Sequence, residues 1–470
     1  MAAGSTSTGL HEHGSSILVA LLSSAFGVAL LQVTGVLADA VTADPVTGSN
    51  ATLRLVLMAV AWAFIAIAVY VGSVVTANTF ATIVAGRART IALLRLIGSS
   101  ARQQRRAVAR EGLVVGVLGA IAGTAVGTGL AIGLERLAVW AGWLPELPHD
   151  WADVGLVGPI VAVVLTTWLA AWAGSRRVLT VTPLQAIGGS QPLSRDELRA
   201  RQARNAAAIA LFAIGTAILV LSMLLGLVTP FAVLVGVIGG ILSFTGVVLG
   251  AHLVMPPALR LVGRMLGRSP SARLAAANAL RYPERASRTT IGVVIGVTLV
   301  TMFGVTMASF RMLLQEASAD EPELYEGTGA IIDSITAVFS VLIGVSALIA
   351  AVGLVNALSL SVLQRTRELG LLRALGFSRG QLRRMILAES VQLTATAVLV
   401  GLVLGTFYGW AGAQSLLGSA RGMPGIVLPG VPWTILGIVV VAAAVLTFVA
   451  TLTPTRRATR VSPITALAAE

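Results

Sequence analysis

Ten long apolar runs, separated by short polar segments, most restrict the fold of this 470-residue chain. A helix needs roughly 18 or more apolar residues to cross a bilayer, and each run is long enough. Lipid offers no partners for backbone amides, so such runs form helices. With only 11% charged residues and a mean hydropathy of +0.89, the sequence predicts an all-α polytopic membrane protein and excludes a water-soluble enzyme. The runs cover residues 16–38, 53–76, 112–140, 154–174, 205–227, 231–256, 289–311, 332–362, 389–411 and 432–453.

The basic residues lie between the apolar runs in an alternating pattern. Of the 33 arginines, 29 fall in segments 76–111, 174–204, 257–290, 364–388 and the tail after Thr453, whereas the other loops are acidic or neutral. By the positive-inside rule, the basic segments face the cytosol, which predicts that both chain ends are cytosolic. The first run lacks the features of a signal peptide, so we expect it to be retained. The net charge of +13 therefore indicates membrane topology and no nucleic-acid partner.

Two residue types are absent from the sequence, cysteine and lysine. Without cysteine the chain forms no disulfide and no thiolate zinc site. Without lysine it contains no Walker A loop, so any ATP must be bound by another chain. The apolar runs also lack the residue pairs that intramembrane enzymes need, and we therefore expect no catalytic, cofactor or metal site. His11, Glu12 and His13 could bind a metal but are more typical of a solvated tail.

An internal repeat divides the chain. Shifting the sequence by 278 positions aligns residues 78–113 with 356–391 without a gap, and 13 of 36 positions are identical. Ten of these matches are polar residues or glycine, which apolar drift alone does not explain. At a shift of 280, Arg176-Arg177 and Pro183 recur as Arg456-Arg457 and Pro463. The repeat therefore covers four apolar runs in each copy.

The repeat predicts the domain organisation. We expect a cytosolic tail at 1–15, a first repeat at 16–190, a linker with a two-helix hairpin at 191–270, and a second repeat at 271–470. Thr229 and Pro230 mark the break inside the hairpin, because proline cannot continue a helix. Two runs separate the copies, so the copies are parallel and relate by a pseudo-two-fold axis along the membrane normal.

The basic segment of each repeat is predicted to form two short helices separated by a glycine, which is Gly98 in the first repeat and Gly376 in the second. The spacing of Ser378 and Gln381 predicts a capping box at the second helix, and Ser100 and Gln103 repeat it. Further along, Gly123 and Gly127 match Gly401 and Gly405, a spacing that lets membrane helices pack closely. Glu111 and Glu389 lie nearby, with the arginines as candidate partners. Two interpretations stay open, a segment on the lipid surface and a docking surface; the recurrence of the same arginines favours docking.

The run Arg-x-Arg-Glu-Leu-Gly-Leu-Leu-Arg-Ala-Leu-Gly at 365–376, with a terminal Pro-x-x-Ala-Leu at 463–467, resembles the FtsX-like permease family of ABC transporters. In that family a short cytosolic coupling helix docks on an ATPase. The resemblance implies a partner ATPase dimer that binds ATP and Mg, and the plasma membrane of a bacterium as the location. The first copy differs at Thr90 and Ala92, where the second has Glu368 and Gly370. The implied docking residues are Arg89, Leu93, Leu94, Arg95 and Gly98 in one copy and Arg367, Glu368, Leu371, Leu372, Arg373 and Gly376 in the other.

The resemblance favours a non-catalytic permease subunit that uses a separate ATPase to export or extract a hydrophobic or membrane-derived substrate by mechanotransmission. An alternative is an ATPase-driven scaffold that controls an external cell-wall hydrolase or sensor, with an external accessory protein as partner. An ion-coupled carrier is less consistent with the sequence, because such carriers place ionisable residues inside their helices. His252 is the only histidine within a predicted span, and a structural hydrogen bond is its expected role.

Overall fold

The computed structural model describes residues 14–43, 51–86, 93–94, 97–140, 142, 146, 148–151, 156–175, 195–265, 276–277, 280, 283–320, 344, 375–420 and 423–460. Within these residues the chain forms long helices and no β-strand. The helices are α1 (Gly14–Ala43), α2 (Ala51–Gly86), α3 (Ala101–Trp140), α4 (Val157–Gly174), α5 (Arg195–Leu225), α6 (Ala232–Leu249), α7 (Ala251–Met265), α8 (Pro283–Asp320), α9 (Arg379–Leu417) and α10 (Trp433–Arg460).

Six of these helices, α2, α3, α5, α6, α8 and α9, are long and apolar enough to cross a membrane. Shorter apolar stretches lie in α1, α4 and α10. The predicted all-α polytopic fold is therefore confirmed. Nine of the ten predicted spans contain a described helix, whereas the eighth, at 332–362, lies outside the described residues except for residue 344.

The predicted sixth span, at 231–256, is too long. Helix α6 ends at Leu249, where the Gly250 amide donates to the Gly246 carbonyl oxygen, and α7 begins at once. One face of α7 is buried against α8 and α9 through Met255 and Leu259, whereas Arg260 on the same helix is exposed. Helix α7 is thus a short amphipathic helix. Hydropathy alone does not separate it from α6 because the sequence on both sides of Gly250 is apolar.

The basic segments also differ from prediction. The short helix expected after Gly376 is continuous with the ninth span, and together they form the 39-residue helix α9. The same fusion produces α3, because no residue near 111 or 389 interrupts the backbone hydrogen bonds. Helix α8 continues to Asp320, beyond the end of the seventh predicted span at residue 311, into an acidic segment that we expected to be a loop.

The two repeats pack alike. Helices α3 and α9 begin 278 residues apart and end 277 apart. A Cβ atom added at Gly127 of α3 would lie 2.6 Å from a backbone oxygen of α1, and one at Gly405 of α9 would lie 2.7 Å from a backbone oxygen of α8. Gly123 and Gly401 are packed as tightly against the same partner helices. The α1–α3 and α8–α9 pairs therefore approach at glycine surfaces, as small residues permit in membranes.

Helix α8 forms the centre of the described core. In its apolar membrane-spanning stretch 83% of the residues are buried, whereas in that of α5 only 22% are buried. Phe303 and Ile295 on α8 are almost fully buried, together with Met385 at the start of α9. Helix α5 packs mainly on α6 and exposes Ile209, Phe212 and Leu221. In a bilayer, α5 therefore faces lipid while α8 is surrounded by protein.

Helices α5 and α6 form the predicted hairpin, with a turn at residues 226–231 that contains Thr229 and Pro230. The hairpin contacts both repeats. Thr245 of α6 hydrogen-bonds the hydroxyl of Tyr70 on α2 at 2.8 Å. Ser243 of α6 bonds the hydroxyl of Tyr408 on α9 at 3.0 Å. The hairpin is thus attached by side-chain hydroxyls to the first repeat and to the second.

Candidate docking site

The first copy of the basic motif ends in a glycine turn that leads into α3. Gly98 has φ of +104°, a left-handed conformation that glycine adopts without strain. The Ser99 amide donates to the Leu94 carbonyl oxygen at 2.9 Å, and the Ile97 amide donates to that of Leu93 at 3.2 Å. These bonds and the positive φ match a Schellman helix end. Ser100 then accepts a hydrogen bond from the Gln103 amide at 3.1 Å and caps α3.

The second copy has the same turn before α9. Gly376 has φ of +96°, and no heavy atom lies within 4 Å of a Cβ atom added there. Ser378 accepts from the Gln381 amide, and the Gln381 side chain accepts from the Ser378 amide at 2.9 Å. This capping box satisfies two amides that the helix itself leaves without partners. Leu382 in the first turn of α9 is fully buried, which fixes the direction in which the helix leaves the turn.

Apolar side chains beside the two turns are exposed. Ile97 is 82% exposed and Leu375 is 71% exposed, and Leu93 and Leu94 are exposed as well. They lie in two of the arginine-rich segments, 76–111 and 364–388, just before the helices α3 and α9 begin. A group of exposed apolar side chains rimmed by polar residues is typical of a site of protein or membrane contact. The exposed side chains around the turns are Leu93, Leu94, Ile97, Leu375, Arg102, Arg106, Arg383 and Arg384.

The structure covers part of the predicted docking set. Leu93, Leu94, Gly98 and Gly376 are described, and each of the two turns lies directly before a capped helix. The remaining predicted docking residues lie outside the described residues; they are Arg89, Arg95, Arg367, Glu368, Leu371, Leu372 and Arg373. Farther along α3 and α9, Glu111 is half-buried and Glu389 is buried.

A contact of Arg105 was not expected from the sequence. Its guanidinium carbon lies 3.8 Å from the centre of the Trp172 ring, and it donates to the Trp172 carbonyl oxygen at 3.4 Å. A cation over an aromatic face is stabilised by about 0.5–1 kcal/mol at exposed sites. The equivalent Arg383 is exposed, and Leu452 stands where Trp172 stands in the first copy. The sequence signal for this contact is the tryptophan that is present in the first copy and replaced in the second. The two sites therefore differ in this arginine–aromatic contact.

The described residues contain no group of three or more side chains suited to hold a metal ion, while His11 and His13 lie outside them. His252 hydrogen-bonds the Asn205 side chain at 2.7 Å, which joins α7 to α5. The bond has the geometry of a structural contact between helices. The features that stand out chemically are therefore the two exposed apolar turns with their arginines.

Comparison with known families gives two matches within the chain. The model described as FtsX-like permease C-terminal matches residues 62–183 and 340–463, slightly more than half of the sequence. The two matches start 278 residues apart and end 280 apart, as do the repeats in the sequence. Each match includes one of the two glycine turns.

Individual relatives cover a smaller part. An uncharacterized ABC transporter permease, YknZ of Bacillus subtilis, is 31% identical over 145 residues, which are 31% of this chain and 34% of YknZ. The macrolide export ATP-binding/permease protein MacB of Rhodopirellula baltica is 31% identical over 148 residues, 32% of this chain and 20% of MacB. The pyoverdine export ATP-binding/permease protein PvdT of Pseudomonas putida is 26% identical over 138 residues, 29% of this chain and 20% of PvdT. The chain thus spans about a third or less of these relatives.

Proposed function

The chain belongs to the FtsX-like permease family, and from this premise we propose that it is the membrane subunit of an ABC transporter. In this proposal an ATPase on a separate chain binds ATP and Mg and docks on the two glycine turns. ATP-driven movement of the ATPase then shifts the membrane helices. The absence of lysine supports a separate ATPase, because a Walker A loop requires that residue.

The exposed apolar side chains at the turns carry the proposal. Ile97 and Leu375 are more exposed than most apolar residues of the membrane helices, although they flank arginine-rich segments. A partner with an apolar groove and an acidic rim would bury the apolar side chains and pair with the arginines. Two such turns on two parallel repeats fit a partner with two-fold symmetry, as in a dimer of ATPase subunits.

The helices that follow the turns are suited to transmit movement. Each of α3 and α9 continues from its turn without a break for about 40 residues, which corresponds to roughly 60 Å. Each also packs closely on a neighbour through glycines. A shift of either turn therefore moves a helix pair as one body. This arrangement supports mechanotransmission, in which the substrate does not need to pass the ATPase side of the protein.

The relatives' names support export as the direction. Two of them are named for export, one of macrolides and one of pyoverdine. We propose that this chain exports or extracts a hydrophobic or membrane-derived molecule, because its described outer connections are short and its helices are apolar. The protein then acts as a non-catalytic subunit in the plasma membrane of a bacterium, with both chain ends in the cytosol.

A second candidate function is a regulatory scaffold that transmits ATPase motion to an external protein. The observation that favours it is the segment after α9, which is held rigidly. Gln414 binds it twice, donating to the Gly425 carbonyl oxygen at 3.0 Å and accepting from the Val427 amide at 2.7 Å. Ile426 and Leu428 project outward and are 79% and 65% exposed. A rigid apolar strip of this kind suits contact with an accessory protein.

Co-purification with an ABC ATPase encoded next to this chain tests the proposal. We expect the full-length protein to retain the ATPase, and Ile97→Glu and Leu375→Glu to reduce retention at least about tenfold, because a buried unpaired carboxylate opposes docking. Ala319→Glu is the matched control, since it adds the same charge at an exposed site near the end of α8, away from both turns. Equal retention in all variants would overturn docking at the turns, and a neighbouring cell-wall hydrolase gene would favour the scaffold.

A further inference from the structure

A cavity lies where the hairpin meets both repeats. Its wall is formed by α2, α5, α6, α8 and α9, and its volume is about 130 Å³. On α6 it extends from Val233, next to the turn at 226–231, to Phe244, about two-thirds of the way along the helix. It reaches the same end of the bundle on α9, where Leu416 is one residue before the helix terminus. The cavity thus begins near the end of the bundle that lies away from the arginine-rich turns and extends past the middle of α6.

The lining of the cavity is almost entirely hydrocarbon. Its 22 described lining residues include no charged residue, and four of them carry a hydroxyl group. Three of those hydroxyls have partners, since Tyr70 bonds Thr245, Tyr408 bonds Ser243, and Thr306 donates to a backbone carbonyl oxygen. The fourth, that of Thr298, is buried and has no hydrogen-bond partner. A stable water needs two to four polar partners, so the cavity does not hold ordered water.

The size and position of the cavity fit an alkyl chain. Residues 233–244 of α6 correspond to roughly 16 Å of helix. The hydrocarbon of one bilayer leaflet is about 15 Å deep, half of the bilayer core. Apolar cavities of about 150 Å³ bind small apolar molecules, because filling a void restores dispersion contacts to its wall. The half-buried side chains of Phe64, Ile67 and Val237 at the wall leave the cavity partly open, and in a membrane the surrounding hydrocarbon is the material available to enter.

We propose that this cavity holds one acyl chain of a lipid drawn from the surrounding bilayer, and that the transported or extracted molecule is accordingly lipid-like. The inference rests on the proposed function, because it identifies the substrate class of that permease. In the predicted topology the cavity lies in the outer leaflet, so the headgroup sits near the 226–231 turn and the chain end reaches the aromatic floor. That floor consists of Phe244 with Tyr70 and Tyr408, whose ring centres lie 6.4 and 6.0 Å from it.

The wall also explains how ATPase movement acts on the bound chain. Tyr70 belongs to the first repeat, Phe244 to the hairpin, and Met302 and Tyr408 to the second repeat. Any rotation of the repeats relative to each other changes the distance between opposite walls. Because the wall is apolar and close-packed, a smaller cavity excludes the acyl chain. The released lipid then leaves through the open side.

Photo-crosslinking from Met302 tests the proposal. The full chain is produced with photo-methionine, placed in nanodiscs of phosphatidylethanolamine and phosphatidylglycerol, irradiated, and mapped by mass spectrometry. We expect phospholipid adducts on residue 302, which lines the cavity, and on Met58, which is exposed on α2 and serves as the lipid-facing reference. The Gly240→Leu variant fills the cavity, because no atom lies within 4 Å of a Cβ atom added there. It should reduce adducts at residue 302 about tenfold or more and leave those at Met58 unchanged.

Two further variants complete the experiment. Gly437→Leu makes the same change on α10, also at a site with nothing within 4 Å, and should not alter labelling. Gly412→Leu enters the cavity from α9 and should act like Gly240→Leu. Absence of lipid on residue 302, an intrachain cross-link from it to 321–374, or unchanged labelling in both cavity variants would each overturn the inference. ATPase retention measured on the same samples separates this result from a failure of the proposed function.

Discussion

The left-handed glycines before α3 and α9 provide the sharpest test of how the docking turns work. Gly98 and Gly376 have φ of +104° and +96°, and a Cβ atom added at either position meets no atom within 4 Å. Alanine therefore adds no steric clash and introduces only backbone strain. A non-glycine residue held in such a conformation costs of order 1–3 kcal/mol.

This strain predicts a loss of docking affinity. In the free subunit, the Gly98→Ala chain is expected to relax to another turn and lose the bond from Ser99 to Leu94. Docking must then restore the original turn, at a cost of about 1–3 kcal/mol, which corresponds to an affinity lower by about 5–150-fold. Asparagine tolerates the left-handed region, so Gly98→Asn should lose less than Gly98→Ala, and Gly98→Val should lose more.

The assay is titration of the ATPase onto the subunit in nanodiscs, with binding measured by calorimetry or fluorescence. Gly129→Ala is the control, because Gly129 lies within α3 with open space around it and without a positive φ. It should bind the ATPase as the unmodified chain does. If alanine at 98 and 376 binds as tightly as alanine at 129, or if asparagine and valine have equal effects, the turn geometry does not determine docking.

Two predictions concern packing at the other end of the bundle and between helices. Gln414→Leu leaves the buried Val427 amide without its acceptor, which costs about 1–3 kcal/mol. Hydrogen exchange of that amide should therefore accelerate about 5–150-fold. The control Gln315→Leu, at an exposed site, should leave the exchange rate unchanged. Gly405→Leu inserts a side chain whose Cβ atom would lie 2.5 Å from a side-chain carbon of α8. It should destabilise the fold by about 1–3 kcal/mol and lower the Tm. Gly437→Leu, at a site with no atom within 4 Å of an added Cβ atom, should leave the Tm unchanged. An unchanged amide exchange rate, or an unchanged Tm, would contradict the corresponding contact.

Local signals predicted the elements that depend on neighbouring residues. The three-residue spacing of Ser378 and Gln381 is sufficient for a capping box, which forms within one helical turn whatever the surroundings. The position of the hairpin turn at Thr229 and Pro230 is also a local property, because proline cannot continue a helix. The glycines at 123 and 401 also face a partner helix, although the sequence does not reveal which helix that is.

Features that depend on packing between distant segments were not predictable. The break at Gly250 lies within one apolar run, and the burial of Met255 and Leu259 on α7 depends on α8 and α9, which are distant in sequence. The Arg105–Trp172 contact joins residues 67 positions apart. The walls of the cavity come from five helices that are far apart in sequence, so no local pattern predicts it.

The consecutive residues Ser243, Phe244 and Thr245 connect the hairpin to both repeats at one level of the bundle. Through them a single turn of α6 holds Tyr408 of one repeat and Tyr70 of the other. If the repeats separate, both hydroxyl pairs must break, and each contributes about 0.5–1.5 kcal/mol. Under the proposed function, the hairpin would therefore oppose separation of the repeats from both sides, and separating them would cost more than breaking either hydroxyl pair alone.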